Sequence, residues 1–286
     1  MRVLVAGAGG QLGFELQRSR PLGVELLALS SGELDLTQAG AVRRRVAEER
    51  PAVIINAAAY TAVDRAESER ERAFAVNGQG TANLAVAARE AGARLIHIST
   101  DFIFDGEKSS PYLPDDRPHP LGVYGASKLA GEERVREILG PATAIIRTAW
   151  VYSSHGQNFV KTMLRLLGER ETLSVIADQV GTPTWARHLA QALWRMAERE
   201  LTGVHHFTDA GVASWYDFAV AIQEESLALG LLGREALIRP IATGQYPLPA
   251  RRPPYSVLDK TGLWQAIDWE PSHWRAALRA MLKELC

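Results

Sequence analysis

A chain of 286 residues, 47% hydrophobic and 23% charged, is long enough to bury one large core or two unequal ones. Its 32 basic and 33 acidic residues leave a net charge of −1, so no general field draws it to nucleic acid or to an anionic membrane. No apolar run approaches the ~20 residues that span a bilayer, and a lone cysteine, Cys286, excludes an internal disulfide and points to a reducing, cytoplasmic setting.

Apolar runs at 2–7 (RVLVAG), 24–30 (VELLALS), 52–59 (AVIINAAA), 94–100 (RLIHIST) and 143–150 (TAIIRTAW) are rich in β-branched residues or leucine. Continuous apolar character, as opposed to alternation, suits strands buried on both faces. Helical patterns fall between them, near 11–20, 37–50, 67–91 and 124–139. Strand and helix alternating in this way predict an α/β fold, a Rossmann-type doubly wound parallel sheet. After residue 150 turn residues become denser, and tryptophan recurs at 185, 194, 215, 264, 269 and 274. A helix at 183–199 and the strand-like GVHHFT (203–208) are expected to complete the sheet. Residues 1–150, completed by about 183–208, are therefore read as an NAD(P)-binding domain. Residues 151–182 and 209–286 are read as a smaller substrate-binding lobe over the carboxyl edge of the sheet. Its proline-rich segment 241–259 (IATGQYPLPARRPPYSVLD) is expected to shield Tyr246, Leu248 and Tyr255 from solvent.

Gly7, Gly10 and Gly13 space a G-x-x-G-x-x-G turn directly after the first strand and at the start of a helix. Glycine there lets the backbone approach a pyrophosphate, which rests on helix N–H groups at the positive end of the dipole. The second strand runs out in ALSSGELD, with Ser30 and Ser31 where an NAD-selecting acid normally stands. No acid stands at that tip to repel a 2′-phosphate and no arginine follows closely to clamp one, so NADPH is permitted and NADH stays open. Asp35 and Leu36 follow as adenine contacts, with Asp35 equally readable as a helix cap. In NAAAYTAVDRAE (56–67), Ala57 to Ala59 are small enough for a ribose to lie on the backbone. Asn56 is read as pairing with neighbouring main chain, and Asp64 and Glu67 as either pocket-lining or solvated.

Thr100 and Asp101 end the fourth strand, on the crevice side of an open α/β sheet. His97, His205 and His206 show no metal-ligand spacing and are read as core histidines. Tyr124 and Lys128, four apart on a helix, share one face. A free phenol titrates near ~10, and a fixed ammonium beside it is expected to lower that value. With Thr100 holding a substrate oxygen, the three residues make a proton-transfer site beside a hydride carrier.

The glycine turn, Thr100 after the fourth strand and Tyr124-x-x-x-Lys128 together resemble an extended short-chain dehydrogenase/reductase, a class that more usually has serine at the position of Thr100. GQLGFELQ, NAAAYTAVDRAE, STDFIFDG, VYGASKLAGE, RTAWVY, NFVKTML, DQVGTPT, WYDFA and YPLPARRP, in order along the whole chain, are similar to the dTDP-4-dehydrorhamnose reductase family. The resemblance implies hydride transfer from NADPH or NADH to the C4 keto carbon of dTDP-4-dehydro-L-rhamnose, the last step of dTDP-L-rhamnose synthesis. It implies Tyr124 as proton donor, Lys128 as the residue that tunes it and holds the nicotinamide ribose, and Thr100 as the carbonyl anchor. Gly10, Gln11 and Leu12 match the phosphate turn, while Asp35, Leu36, Ala59, Tyr60 and Thr61 match cofactor-lining positions. Asp101 and Trp150 match positions that meet the dTDP-sugar.

Arg251 and Arg252 in PARRPP are candidates for the substrate diphosphate, since a guanidinium fork suits phosphate oxygens; a solvated pair is the competing reading. Some family members dimerise around a magnesium ion held by glutamates. Glu15 and Glu284 stand at matching places, but Arg187 occupies the middle one and would repel a cation. Mg²⁺ is therefore doubtful, no metal ligand is assigned, and a homodimer stays open on other grounds. Rival readings within the fold are an epimerase or reductase for another dTDP-4-keto-6-deoxysugar, and a non-catalytic NADP-binding regulatory subunit. An intact Thr100, Tyr124 and Lys128 set argues against the last.

Overall fold

The computed structural model of the chain describes residues 1–141 and 143–286 in full. Six strands form one parallel sheet: β1 (Arg2–Ala6), β2 (Glu25–Leu29), β3 (Val53–Asn56), β4 (Arg94–Thr100), β5 (Ala144–Thr148) and β6 (Gly203–His206). Their order across the sheet is 2-1-3-4-5-6. Val5 pairs with Ala28 on one side and Ile55 on the other, so the strand order reverses between β1 and β3. That reversal opens a crevice beyond the carboxyl ends of the two strands.

Every residue of β3 and β5 is buried, the apolar ones as expected of a covered parallel strand and Arg147 of β5 by pairing with the buried Glu132 at 2.8 Å. The period of two sorts the two faces. Val3, Val5, Val53, Ile55 and Ile96 pack with Leu16 of α1 (Gln11–Arg18) and with Leu189 and Leu193 of the helix at 186–198. Leu4, Ala6, Ile54 and Leu95 face the other way, onto Val42 and Val46 of α2 (Ala39–Glu49), Leu84 and Ala88 of α3 (Thr81–Ala91) and Val135 of α4 (Val123–Leu139). Sequence periodicity ran 67–91 as one helix. The chain instead breaks it: a short helix at Arg70–Phe74, a π-helical turn at Ala75–Gly80, and only then α3. The π-turn is packed hard against α4, where a Cβ on Gly131 would sit 2.4 Å from the Asn77 carbonyl.

A second core lies in the later part of the chain. It joins α5 (Phe159–Glu169), α6 (Ala186–Glu198, through the Trp185 that precedes it), α7 (Trp215–Ala228) and α8 (Trp274–Leu282) with the paired strands at 172–176 and 237–241. Phe218, Ile222, Leu167 and Leu278 are among its fully buried members. Tyr246 and Leu248 are exposed, at 55% and 38%, against the expectation that they would be shielded. They rim an open cavity, so their apolar surface faces a concavity and not a packed neighbour.

Candidate active site

Two cavities meet at the switch point. The larger, about 490 Å³, runs from the first turn of α1 to the tips of β4 and β5. The smaller, about 360 Å³, runs from the same turn to the tip of β2. Gly10 and Ala57 to Ala59 line both, so the two form one elongated cleft across the sheet edge. The glycines have separate tasks. Gly7 sits at φ +89°, and a Cβ there would lie 2.6 Å from the Ala58 amide nitrogen. A Cβ on Gly13 would lie 2.3 Å from the Gly7 carbonyl, so this glycine seats α1 beneath the turn without itself lining a cavity. Gly10 caps α1 with no side chain across its first N–H groups. Gln11 and Leu12 line the larger cavity, and Asn158 holds the Gln11 carboxamide at 2.9 Å. A bare turn with free amides at the base of an elongated cleft fits a dinucleotide pyrophosphate.

At the β4 tip Thr100 and Asp101 are buried, and both line the larger cavity beside Tyr124, Lys128 and Trp150. Thr100 Oγ1 donates to Asp101 Oδ1 at 3.0 Å and accepts from the Phe102 amide at 3.2 Å, which fixes its rotamer. Burial pushes the Asp101 carboxyl up to about 6. It also pushes the Tyr124 phenol up to about 12, against a hydrogen bond with Thr100 that lowers it. The expected lowering by Lys128 is thus not met. The ammonium donates to the Ile98 carbonyl at 2.6 Å. Lys128 is only 3% exposed, and burial drives it down to about 8, with the carboxylate of Glu132 one turn on opposing the drop.

Trp150 adopts φ +48°, a left-handed conformation that a bulky residue rarely takes. Its indole stacks on Trp215, with centroids 3.6 Å apart and planes 6° off parallel. It fits because position 181 is glycine, where a Cβ would sit 2.6 Å from the ring. Trp215 lines the same cavity, a role hidden in sequence because WYDFA reads as an ordinary helix start.

The remaining expected residues divide. Ser30, Asp35 and Leu36 line the smaller cavity; Ala59 lines both cavities, and Thr61 the larger. Asp35 accepts from the Thr37 amide and hydroxyl at 2.9 and 2.8 Å, bracing the loop before α2. Tyr60 lines neither of the two cavities. Its main chain is gripped at both ends by the Asn77 side chain, and its hydroxyl meets Glu69. Arg252 lines the larger cavity and a third of about 430 Å³, but its fork is engaged by Asp64 at 3.0 and 2.8 Å. Arg251 lines the third cavity and is exposed. Asn56 does accept from nearby main chain, the Ala58 amide at 3.2 Å, and lies 3.2 Å from the Nδ1 of the buried His97. His206 is buried too, while His205 is half-buried.

Three positions escaped the sequence reading. Glu67, read there as either solvated or pocket-lining, accepts from the Val123 amide at 2.8 Å and so caps α4 one residue before Tyr124. Asn77 joins the Tyr60 main chain to Ser127 on α4, with Ser127 Oγ at 2.9 Å. Glu33 corrects the reading that no acid stands at the β2 tip: its carboxylate folds back onto Ser30. Only the Glu33 signal was open to a local rule, since a Ser-x-x-Glu spacing can close reciprocally. The other two pair across 56 and 50 positions.

Glu15 is fully buried and lies near Glu284, but the donor set does not fit a divalent cation. Arg187 Nε lies 3.2 Å from Glu15, its Nη1 pairs with Glu284, and Arg18 adds a second guanidinium 3.0 Å from Glu284. Carboxylates neutralised in this way leave no net charge for a metal ion.

Chains that join a glycine turn to a tyrosine–lysine helix across a sheet switch point are extended short-chain dehydrogenases/reductases, and this one falls in that class. The family model described as the RmlD substrate binding domain matches residues 1–286. The dTDP-4-dehydrorhamnose reductase of Aggregatibacter actinomycetemcomitans is 44% identical, with 97% of each chain covered. The crystal structure of a dTDP-4-dehydrorhamnose reductase from Clostridium acetobutylicum superposes with a TM-score of 0.94 at 38% identity, covering 100% of this chain and 99% of that one. A Bacillus anthracis dTDP-4-dehydrorhamnose reductase, solved in complex with NADP, gives 0.93 at 37% identity over 99% of both. The chain belongs to the dTDP-4-dehydrorhamnose reductase family.

Proposed function

We propose that this chain is a cytoplasmic reductase that uses NADPH to convert the C4 keto group of dTDP-4-dehydro-L-rhamnose into the hydroxyl of dTDP-L-rhamnose. The observation that carries the reading is the convergence of Thr100, Tyr124 and Lys128 at one end of the larger cavity, whose other end is the glycine turn. When bound, the nicotinamide supplies a hydride to the keto carbon. Tyr124, protonated at neutral pH because its pKa is about 12, then donates its proton to the oxygen as the C–O double bond is lost. Thr100, on the same cavity wall as that phenol, anchors the same oxygen. Lys128 stands four residues on, where its ammonium holds the nicotinamide ribose and offsets the phenolate left after proton transfer. Water then restores the phenol proton.

The division of labour follows the same line. Residues 1–150, completed by about 183–208, carry the cofactor. Residues 151–182 and 209–286 carry the sugar nucleotide, with Trp150 and Trp215 against the sugar and the third cavity, beside Arg251 and Arg252, towards the diphosphate. The exposed and unengaged Arg251 is the stronger phosphate ligand of the pair, since Asp64 already neutralises Arg252.

The test is NADPH oxidation by the purified chain with dTDP-4-dehydro-L-rhamnose formed in situ. The unepimerised dTDP-4-keto-6-deoxyglucose is the control. Oxidation with the epimerised sugar alone is expected. Sugar interconversion without net oxidation would make the chain an epimerase and overturn the assignment.

A further inference from the structure

The β2 tip raises a question of coenzyme choice that the family's chemistry leaves unanswered for this chain. Ser30 presents two donors at the wall of the smaller cavity, its backbone N–H and its hydroxyl. Both are spent on one oxygen of Glu33, at 2.8 and 2.7 Å. The turn that brings Glu33 back is fixed by the main chain, since the Glu33 and Leu34 amides both donate to the Ser30 carbonyl, at 3.1 and 2.9 Å. It is also pinned by packing, because Leu34 and Leu36, on either side of Asp35, are 5% and 4% exposed and belong to the core beneath the sheet. Glu33 is therefore held at the strand end although it lies four residues beyond Leu29.

We propose that Glu33 is a coenzyme-selecting residue of this chain, one that counts against the 2′-phosphate of NADPH and admits NADH beside it. The proposal rests on the reductase reading. Three observations carry it. The donors that a 2′-phosphate would need at the strand end are occupied by a carboxylate. No lysine or arginine lines the smaller cavity among the described residues, so nothing there offsets a phosphate dianion. Glu33 and Asp35, both held below the usual carboxylate range by hydrogen bonds from Ser30 and Thr37, stand at the tip, and Arg45 on α2 is the cation that acts on Glu33. Arg45 is itself drawn to Glu49 at 3.3 Å. A ribose 2′-hydroxyl, in contrast, can donate to a carboxylate at this place. Sequence reading missed the point because it looked for an acid at the last strand residue, whereas a tight turn delivers one from further along.

The experiment compares the wild-type chain with Glu33→Gln and Ser30→Ala. NADPH and NADH are titrated by fluorescence for binding, then kcat/KM is measured for each with the keto sugar. Glu33 is exposed, so Glu33→Gln is expected to fold normally. The wild type is expected to bind both coenzymes within about tenfold of each other. Glu33→Gln should raise the NADPH-to-NADH ratio about tenfold in binding and in kcat/KM alike, the size of one removed repulsion at partly solvated range. Ser30→Ala, which removes the hydroxyl and leaves the backbone N–H as the only one of the two Ser30 donors on the carboxylate, should move the ratio the same way by less. A ratio unchanged within twofold in Glu33→Gln, or moved towards NADH, overturns the proposal while leaving the reductase reading intact. Failure of the wild type to bind either coenzyme would overturn both.

Discussion

The two ends of the cleft are built on opposite principles. At the glycine turn the binding surface is made by leaving side chains out: Gly7, Gly10 and Ala57 to Ala59 expose backbone, and shape does the selecting. At the β4 tip the surface is made by putting polar side chains where water is scarce. Asp101, Tyr124 and Lys128 all carry pKa values displaced by burial, to about 6, about 12 and about 8. The first end costs backbone freedom, the second costs desolvation. A substitution should therefore fail differently at each: by collision at the turn, and at the tip by lost chemistry with the fold kept or even strengthened.

The largest effect is expected from Tyr124→Phe. Turnover should fall by about 10²–10⁴, the usual share of a positioned acid, while NADPH binding and melting temperature stay near wild type. A binding loss as large as the rate loss would mean that the phenol builds the pocket and does no chemistry. Next comes Gly13→Ala, whose new methyl must displace the Gly7 carbonyl. Overpacking of about 1–3 kcal/mol should raise the NADPH dissociation constant about tenfold or more and lower the melting temperature together. Normal binding by that variant would show the turn to be more yielding than its geometry implies.

Lys128→Met probes the other end by its sign. The lysine titrates near 8 in the fold against 10.5 when free, so the unfolded chain holds that proton more tightly between the two values. Stability should accordingly rise with pH across roughly 8 to 10.5, and the cost is complete at pH 7. Removing the amine should abolish turnover yet stabilise the chain by about 2–3 kcal/mol at pH 7, with the pH-dependent rise gone; calorimetry over pH 7 to 10.5 checks both. A destabilised variant would mean that the bond to the Ile98 carbonyl outweighs desolvation. The smallest effect belongs to Glu67→Ala, which uncaps α4 just before Tyr124. It should cost about 1 kcal/mol and lower turnover a few-fold, and Glu67→Gln, which keeps an oxygen acceptor, should recover most of both.

What was readable in advance follows the same divide. The sheet was legible because strands of a covered parallel sheet are mostly apolar, and β1 to β5 each lie within such a stretch, although β2 at the sheet edge is only partly buried. The glycine turn was legible because its function is the absence of a side chain, and absence is written in the sequence itself. Thr100, Tyr124 and Lys128 were legible as types and spacings, but their electrostatics were not. The idea that Lys128 lowers the phenol weighed the ammonium and left out burial, and burial sets the direction of the shift. The π-turn at Ala75–Gly80 was invisible because only the approach of Gly131 from α4 demands it.

By itself the sequence determined the alternation of strand and helix, the bare turn after β1, and the presence of a phenol and an amine on one helical face, since each depends on neighbours within a few positions. Tertiary structure alone decided which groups lose water and which charges meet. Glu67 found α4 across 56 positions, Arg187 found Glu15 across 172, and Arg252 found Asp64 across 188. Desolvation and Coulomb energy depend on distance in space, and a single chain does not write that distance into its local order.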